Sequence, residues 1–280
     1  MRNNINRLIA MIDVDQGSLK STFEYEAVLG KPDVLSTART EGIEPMDRQT
    51  LAQQDKNLPR SYDHEREVVI PPLDLGGTLN IPGGAEALVV FVHGSGSSRF
   101  SPRNRAVAQA LNEQAMATLL FDLLTEPEET NRAHVFDIEL LAKRLIQTVD
   151  WIDRDPMLSQ LPLGFFGAST GAAAALVAAA QLGDRVDAVV SRGGRPDLAG
   201  RVLNEIKTPT LLIVGGDDFG VIELNEEALL ELKGPKAIEI VPGATHLFPE
   251  PGALEAVINH AARWFDAYLM KDKMKIRSPQ

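Results

Sequence analysis

Ser169 stands in Gly167-Ala168-Ser169-Thr170-Gly171, between an apolar run at 161–166 and an Ala-rich run at 172–182. The order reads as a strand, a tight turn carrying a serine, and a helix. This is the pattern of a nucleophile elbow. Such a turn holds the serine in a strained conformation with its hydroxyl projecting from the end of a sheet. Strand and helix approach closely there, so the flanking residues must be small, as Gly167, Ala168, Gly171 and the following alanines are. The helix N-terminus beside the serine favours a developing negative charge. A serine hydroxyl becomes a useful nucleophile when a base takes its proton. That base is usually a histidine oriented by a carboxylate, and the chemistry is acyl transfer.

A serine so placed needs a sheet behind it, and the sequence supplies one. Residues 67–70 and 78–81 predict two short strands, separated by prolines and Gly76-Gly77, and suit an antiparallel hairpin. Residues 87–93 form a continuous apolar run, as a buried parallel strand requires. Further strands are predicted at 117–122, 161–168, 186–191, 210–214 and 237–241. Helices are predicted at 103–114, 136–152, 170–182, 221–232 and 252–270, with a short one after Pro196. Ile138, Leu141, Ala142, Leu145, Val149 and Ile152 mark one apolar face of the second helix. Alternating strands and helices imply a mostly parallel twisted sheet covered on both faces. Ligands of such sheets bind at the carboxyl ends of the strands.

Sheet and elbow together indicate an α/β-hydrolase fold, in which the chain order is Ser, then Asp or Glu, then His. Of five histidines, His64 precedes the regular region, His93 ends an early strand, His134 opens the long helix, and His260 lies within the last helix. Only His246 follows the final strand in a loop, and it is assigned as general base. The acid should follow the strand at 210–214, where Gly215-Gly216-Asp217-Asp218 stands. The usual spacing favours Asp218, with Asp217 as the alternative. One oxyanion donor should be the backbone N–H of Thr170. The second should come from His93-Gly94-Ser95-Gly96-Ser97-Ser98, from Ser95 or Gly96, between which the sequence does not choose. His93 itself reads as a residue bracing that loop.

Arg99 and Arg103 follow this loop, and Arg192 and Arg195 follow another strand. An internal ion-pair network with Asp122, Asp197 or Glu250 would explain them. Alternatively, Arg99, Arg192 or Arg195 binds a carboxylate or phosphate of the substrate through bidentate hydrogen bonds. Few residues separate the strands ending near Ser191 and starting at Thr210, so no large lid is expected there.

The chain has 280 residues, a net charge of -11 and a pI near 5.0. Its acidity argues against nucleic acid or an anionic membrane as partner. With no cysteine, it has no disulfide, no Cys-ligated metal and no thiol nucleophile. That composition suits a reducing cytoplasm. No small-residue cleavage site follows the short apolar stretch at 8–12, which argues against a signal peptide. Residues 1–66 show poor periodicity, with short helices suggested at 4–12 and 50–56, and are expected to form a weakly ordered extension. Residues 67–270 make the α/β-hydrolase domain, and 271–280 a frayed tail.

Four segments carry a family likeness. They are His93-Gly94-Ser95-Gly96-Ser97-Ser98-Arg99 with Ser101-Pro102-Arg103-Asn104, the elbow itself, Ser191-Arg192-Gly193-Gly194-Arg195-Pro196-Asp197, and Gly243-Ala244-Thr245-His246-Leu247-Phe248. On these, residues 67–269 resemble the dienelactone-hydrolase-like branch of the α/β-hydrolases. The likeness is greatest to the hydrolase half of bacterial proteins that fuse a phosphoribosyltransferase to such a domain. Dienelactone hydrolases proper use a cysteine where this chain has Ser169, so dienelactone is not the expected substrate. Residues 1–66 contain no acidic, glycine-rich ribose-phosphate loop. The resemblance implies a serine hydrolase acting on esters, thioesters or lactones of a small substrate, with an anionic group on it left open. Ser169 would attack, His246 shuttle the proton and Asp218 orient His246, with no metal or organic cofactor. The expected partner is the small-molecule ester, with no nucleic acid or membrane; a homodimer is left open. The competing readings are a non-catalytic binding module on the same fold and an acyltransferase using the same three residues.

Overall fold

The computed structural model describes residues 64–270. The expected N-terminal extension and C-terminal tail, with the two short helices at 4–12 and 50–56, lie outside the described residues. Eight strands form one sheet: β1 (His64–Ile70), β2 (Leu75–Ile81), β3 (Ala87–Val92), β4 (Met116–Phe121), β5 (Leu163–Ala168), β6 (Ala188–Arg192), β7 (Thr210–Gly215) and β8 (Lys236–Val241). Their order is β1-β2-β4-β3-β5-β6-β7-β8. β1–β2 and β2–β4 pair antiparallel, and every later pair is parallel. This is the mostly parallel α/β-hydrolase sheet expected from the sequence, with the first strand beginning at His64 rather than at 67.

Alternation along the strands divides the interior in two. From β3, Leu88, Val90 and Val92 enter one core and Ala87, Val89 and Phe91 the other. The first core lies under α4 (Ile138–Ile152) and α5 (Thr170–Leu182), the second under α1 (Pro102–Asn112) and α7 (Ala253–Leu269). In α4 the apolar stripe predicted from spacing is buried at Leu141, Leu145, Val149 and Ile152. In α5 the residues from Thr170 to Ala179 are all buried. Alanines let this helix press against the sheet at a distance that larger side chains would forbid. α6 (Val221–Glu231) packs at the β7–β8 end of the sheet. The last strand, β8, is the sheet edge and is only partly covered.

The segment between β4 and α4 differs from expectation. It forms two one-turn helices, α2 (Glu126–Glu129) and α3 (Arg132–Val135). His134 therefore lies in α3 and does not open the long helix, which starts at Ile138 behind its Asp137 cap. Between β6 and β7 the chain makes only a 3-10 segment (Pro196–Glu205), kinked at Gly200, and no large lid. No described helix is long and apolar enough to cross a membrane.

Candidate active site

The serine sits where β5 turns into α5. Ser169 has φ 50° and ψ -123°, a conformation that only a tightly determined turn imposes on a non-glycine residue. Holding it there costs on the order of 1–3 kcal/mol. Hydrogen bonds on both sides offset that cost. The Ser169 N–H donates to the Arg192 carbonyl at 3.2 Å, and the Ser169 carbonyl accepts from the amides of Ala172 and Arg195, each at 3.1 Å. At Gly171 a Cβ would lie 2.2 Å from the Val92 carbonyl oxygen, so only glycine lets α5 start against β3.

His246 reaches the serine from the loop after β8. Its Nε2 lies 3.4 Å from Ser169 Oγ, and its Nδ1 lies 2.7 Å from Asp218 Oδ2. With the proton on Nδ1 donated to Asp218, Nε2 is free to accept from the serine hydroxyl. Asp218 is nearly buried, with 10% of its side chain exposed, whereas the Asp217 side chain is turned to solvent. Of the two neighbouring carboxylates, Asp218 meets the imidazole. The loop carrying His246 is fixed at both ends. Phe248 adopts φ 56° and buries its ring in the second core. Glu250 accepts from the Thr245 amide at 3.1 Å and from the Thr245 hydroxyl at 2.6 Å. These Thr245 bonds hold the Glu250 carboxyl below its usual range.

The glycine loop after β3 passes directly over the serine. A Cβ on Gly94 would sit 2.9 Å from Ser169 Cβ. His93 secures the loop from beneath: its Nδ1 pairs with the Gly94 carbonyl at 3.0 Å, and its Nε2 accepts from the Leu123 amide at 3.1 Å. Burial lowers the His93 pKa and favours the neutral ring that this pairing needs. The Ser95 amide donates to Thr170 Oγ1 at 3.0 Å. Neither the Thr170 amide nor the Gly96 amide has an acceptor among the described residues. Thr170 thus joins the two candidate oxyanion segments through its side chain. Sequence reasoning assigned that residue a backbone role only.

The arginines separate into two kinds. Arg99 pairs with Asp122 and with Glu67 (3.1 Å), and its own amide donates to Asp122 Oδ1 at 2.9 Å. Arg195 makes a bidentate pair with Asp197, both contacts 2.7 Å. These are the ion pairs with Asp122 and Asp197 that the sequence left open; Glu250 bonds Thr245 instead. Arg192, the last residue of β6, has no such partner. Its Nη2 donates to Asn104 Oδ1 at 3.1 Å. Sequence reasoning gave Asn104 no role, although its place in the first turn of a helix just after the glycine loop could have pointed to it. Among the described residues, no three His, Asp or Glu side chains cluster as a metal site would require.

Fold and constellation define the class: a sheet of α/β-hydrolase topology with serine, imidazole and carboxylate in sequence at its carboxyl rim. The dienelactone hydrolase family matches residues 107–270, and the chain belongs to that family, hence to the hydrolases. It is 53% identical to a crystallised dienelactone hydrolase from Anabaena variabilis, covering 74% of this chain and 97% of that one, with a TM-score of 0.70. It is also similar to Est1E from Butyrivibrio proteoclasticus, at 17% identity and a TM-score of 0.61, covering 71% and 97% of the two chains. That likeness is one of fold. Two strains of Mycobacterium tuberculosis carry a putative phosphoribosyl transferase that is 56% identical over 211 residues. That match covers 75% of this chain but 48% of the relative, so the chain spans about half the length of the curated relatives it matches.

Proposed function

We propose that this domain is a serine hydrolase that cleaves carboxylic esters, thioesters or lactones through an acyl-enzyme on Ser169. The observation that carries the reading is the continuous path from Ser169 Oγ to His246 Nε2 (3.4 Å) and from His246 Nδ1 to Asp218 (2.7 Å). His246 takes the serine proton as Oγ attacks the carbonyl carbon. Asp218 holds the ring in the required tautomer and stabilises the imidazolium. The oxyanion is received by the Thr170 amide at the start of α5 and by an amide of the 94–96 loop. Gly96 offers an unengaged donor, whereas Ser95 would first have to leave Thr170 Oγ1. Collapse of the tetrahedral intermediate passes the proton from His246 to the leaving alcohol or thiol. Water, deprotonated by His246, then releases the acid. Strain at Ser169 and the positive end of α5 support this assignment, since the turn projects the attacking hydroxyl and the helix end favours the negative charge that develops on the substrate's carbonyl oxygen.

The test is a panel of p-nitrophenyl esters of varied acyl length and charge, with fluorophosphonate labelling of the intact protein. Wild type should hydrolyse esters and take the label on Ser169. Ser169→Ala should lose the label, and its kcat should fall by about four orders of magnitude or more. Labelling that survives the substitution would overturn the proposal.

A further inference from the structure

Both backbone bonds that hold Ser169 from outside its own helix go to one short loop. The Ser169 amide donates to the Arg192 carbonyl, and the Ser169 carbonyl accepts from the Arg195 amide. Between these anchors stand Gly193 and Gly194. A Cβ on Gly193 would lie 2.9 Å from the His246 carbonyl oxygen, and one on Gly194 would lie 1.9 Å from Ser191 Oγ. The loop therefore lies against the nucleophile and the base at once. Paired glycines give a loop wide backbone freedom, so neighbouring groups must fix its shape. Gly193 is tied to β7, where its amide donates to the Ile213 carbonyl at 2.8 Å. Gly194 is tied by a side chain, that of Asn225.

Asn225 lies within α6 and is fully buried. Its Nδ2 donates to the Gly194 carbonyl at 3.0 Å and to the Val221 carbonyl at 2.8 Å. Its Oδ1 is buried with no partner among the described residues. For packing alone, asparagine is a poor choice there. It forms helix less readily than alanine or leucine. Its unpaired buried oxygen carries a desolvation cost that a leucine of similar branched shape would avoid. What asparagine contributes is its pair of N–H donors.

Those donors join the acid to the nucleophile. The Gly194 carbonyl and the Arg195 N–H belong to one peptide unit, which is rigid and planar, with the two groups pointing in opposite directions. Asn225 holds one edge of that plane, and the other edge holds Ser169. Asn225 also grips Val221, the first residue of α6, whose amide donates to the Asp218 carbonyl at 3.1 Å. A continuous line of hydrogen bonds thus runs from the Asp218 backbone through Val221, Asn225 and the Gly194–Arg195 peptide to the Ser169 backbone. At its end Ser169 keeps a strained φ of 50°, and His246 Nε2 stands 3.4 Å from the hydroxyl. A small rotation of the serine would open that gap, and a misplacement of about 1 Å can cost about 10²-fold in rate. We propose that Asn225 is a positioning residue for the reaction at Ser169: it sets the plane of the Gly194–Arg195 peptide and so holds the hydroxyl within reach of His246. This rests on the serine-hydrolase reading above.

The test separates rate from stability. Asn225→Leu keeps the branched shape and removes both donors. Asn225→Ala, which favours the helix, carries the test if the leucine variant does not fold. With p-nitrophenyl butyrate, and per active site counted by fluorophosphonate labelling to completion, kcat should fall by about 10- to 100-fold while KM stays within about threefold. The rate constant for labelling should fall in proportion, because it reports the nucleophile without the leaving alcohol. Thr148→Val is the control: it removes another buried side-chain bond to a helix carbonyl, from Thr148 Oγ1 to Arg144 at 3.0 Å in α4. Its melting temperature should fall with kcat and labelling rate unchanged. Asn225 variants that melt earlier but keep the wild-type kcat and labelling rate would mark a purely structural residue and overturn the proposal. So would a raised KM with kcat unchanged, or an equal fall of kcat in Thr148→Val. If the wild type neither hydrolyses the ester nor takes the label, the serine-hydrolase reading falls and this role falls with it. If the wild type does both and the Asn225 variants match its rates, the esterase stands and the positioning role alone is removed.

Discussion

Two polar assemblies stand at the same end of the sheet and are built on opposite terms. On the antiparallel side, Arg99 joins Asp122 and Glu67, and the Thr78 hydroxyl donates to Glu67 at 2.9 Å. Each charge there has an opposite within reach, although Arg99 Nε itself is buried without a hydrogen-bond partner. On the parallel side, among the described residues, the amide of Thr170 has no acceptor, Arg103 Nε has no partner, and Arg192 has an amide oxygen but no carboxylate. Arginine near a strand end is therefore a poor marker of a binding site. Arginine without a counter-charge is a better one, because burying it has a cost that packing alone does not offset.

If the contrast holds, damage to the open assembly should cost activity, and damage to the closed one should cost stability. The largest expected effect is in Asp218→Asn, which keeps the shape but loses control of the His246 tautomer. Its kcat should fall by about 10³-fold or more with a nearly unchanged melting temperature, as steady-state kinetics and a thermal melt would read. Activity within a few-fold of wild type would move the orienting role away from Asp218. Next is Asp122→Asn, which leaves the exposed Glu67 as the one carboxylate paired with the Arg99 guanidinium. It should destabilise by about 2 kcal/mol, seen as a melting temperature lower by about 4–8 °C. An unchanged melt would show that this network contributes nothing.

A smaller effect is expected at His93, which braces the loop between the two assemblies. Its folded pKa is lowered by burial, so the unfolded chain binds the proton more readily. Stability from this residue is complete above the unfolded pKa of about 6.5 and is lost as pH falls below it, by up to about 1.4 kcal/mol per pH unit. Denaturant titrations between pH 7 and 5 should show a steeper loss in wild type than in His93→Gln. Parallel losses would sink the argument. The smallest effect is that of Thr170→Val, which leaves the Ser95 amide without its acceptor. About 1 kcal/mol of stability should go, with kcat/KM within about tenfold. A larger fall in kcat/KM would mean that the two oxyanion segments must be tied together by this hydroxyl.

The sequence announced most of this arrangement, and for definable reasons. Continuous apolar runs such as 87–92 and 210–214 have one reading when they alternate with amphipathic helices, so the parallel part of the sheet was legible. The elbow was legible because close packing restricts residue size over several consecutive positions. Short elements were not. The turn at Glu126–Glu129 is too brief for periodicity, although Thr125 and Glu128 form a capping box that could have located it. The choice between Asp217 and Asp218 depended on a single residue of turn geometry that composition does not encode. The division of the arginines lay beyond sequence altogether. Asp122, Asp197 and Asn104 stand at similar places in the pattern, and only the folded chain shows which arginine each one serves.

The two uncompensated guanidiniums also bear on how this protein would respond to selection. Each carries a cost of desolvation that no carboxylate among the described residues offsets. Breeding variants for heat tolerance alone should therefore replace Arg192 or Arg103 early with an uncharged residue.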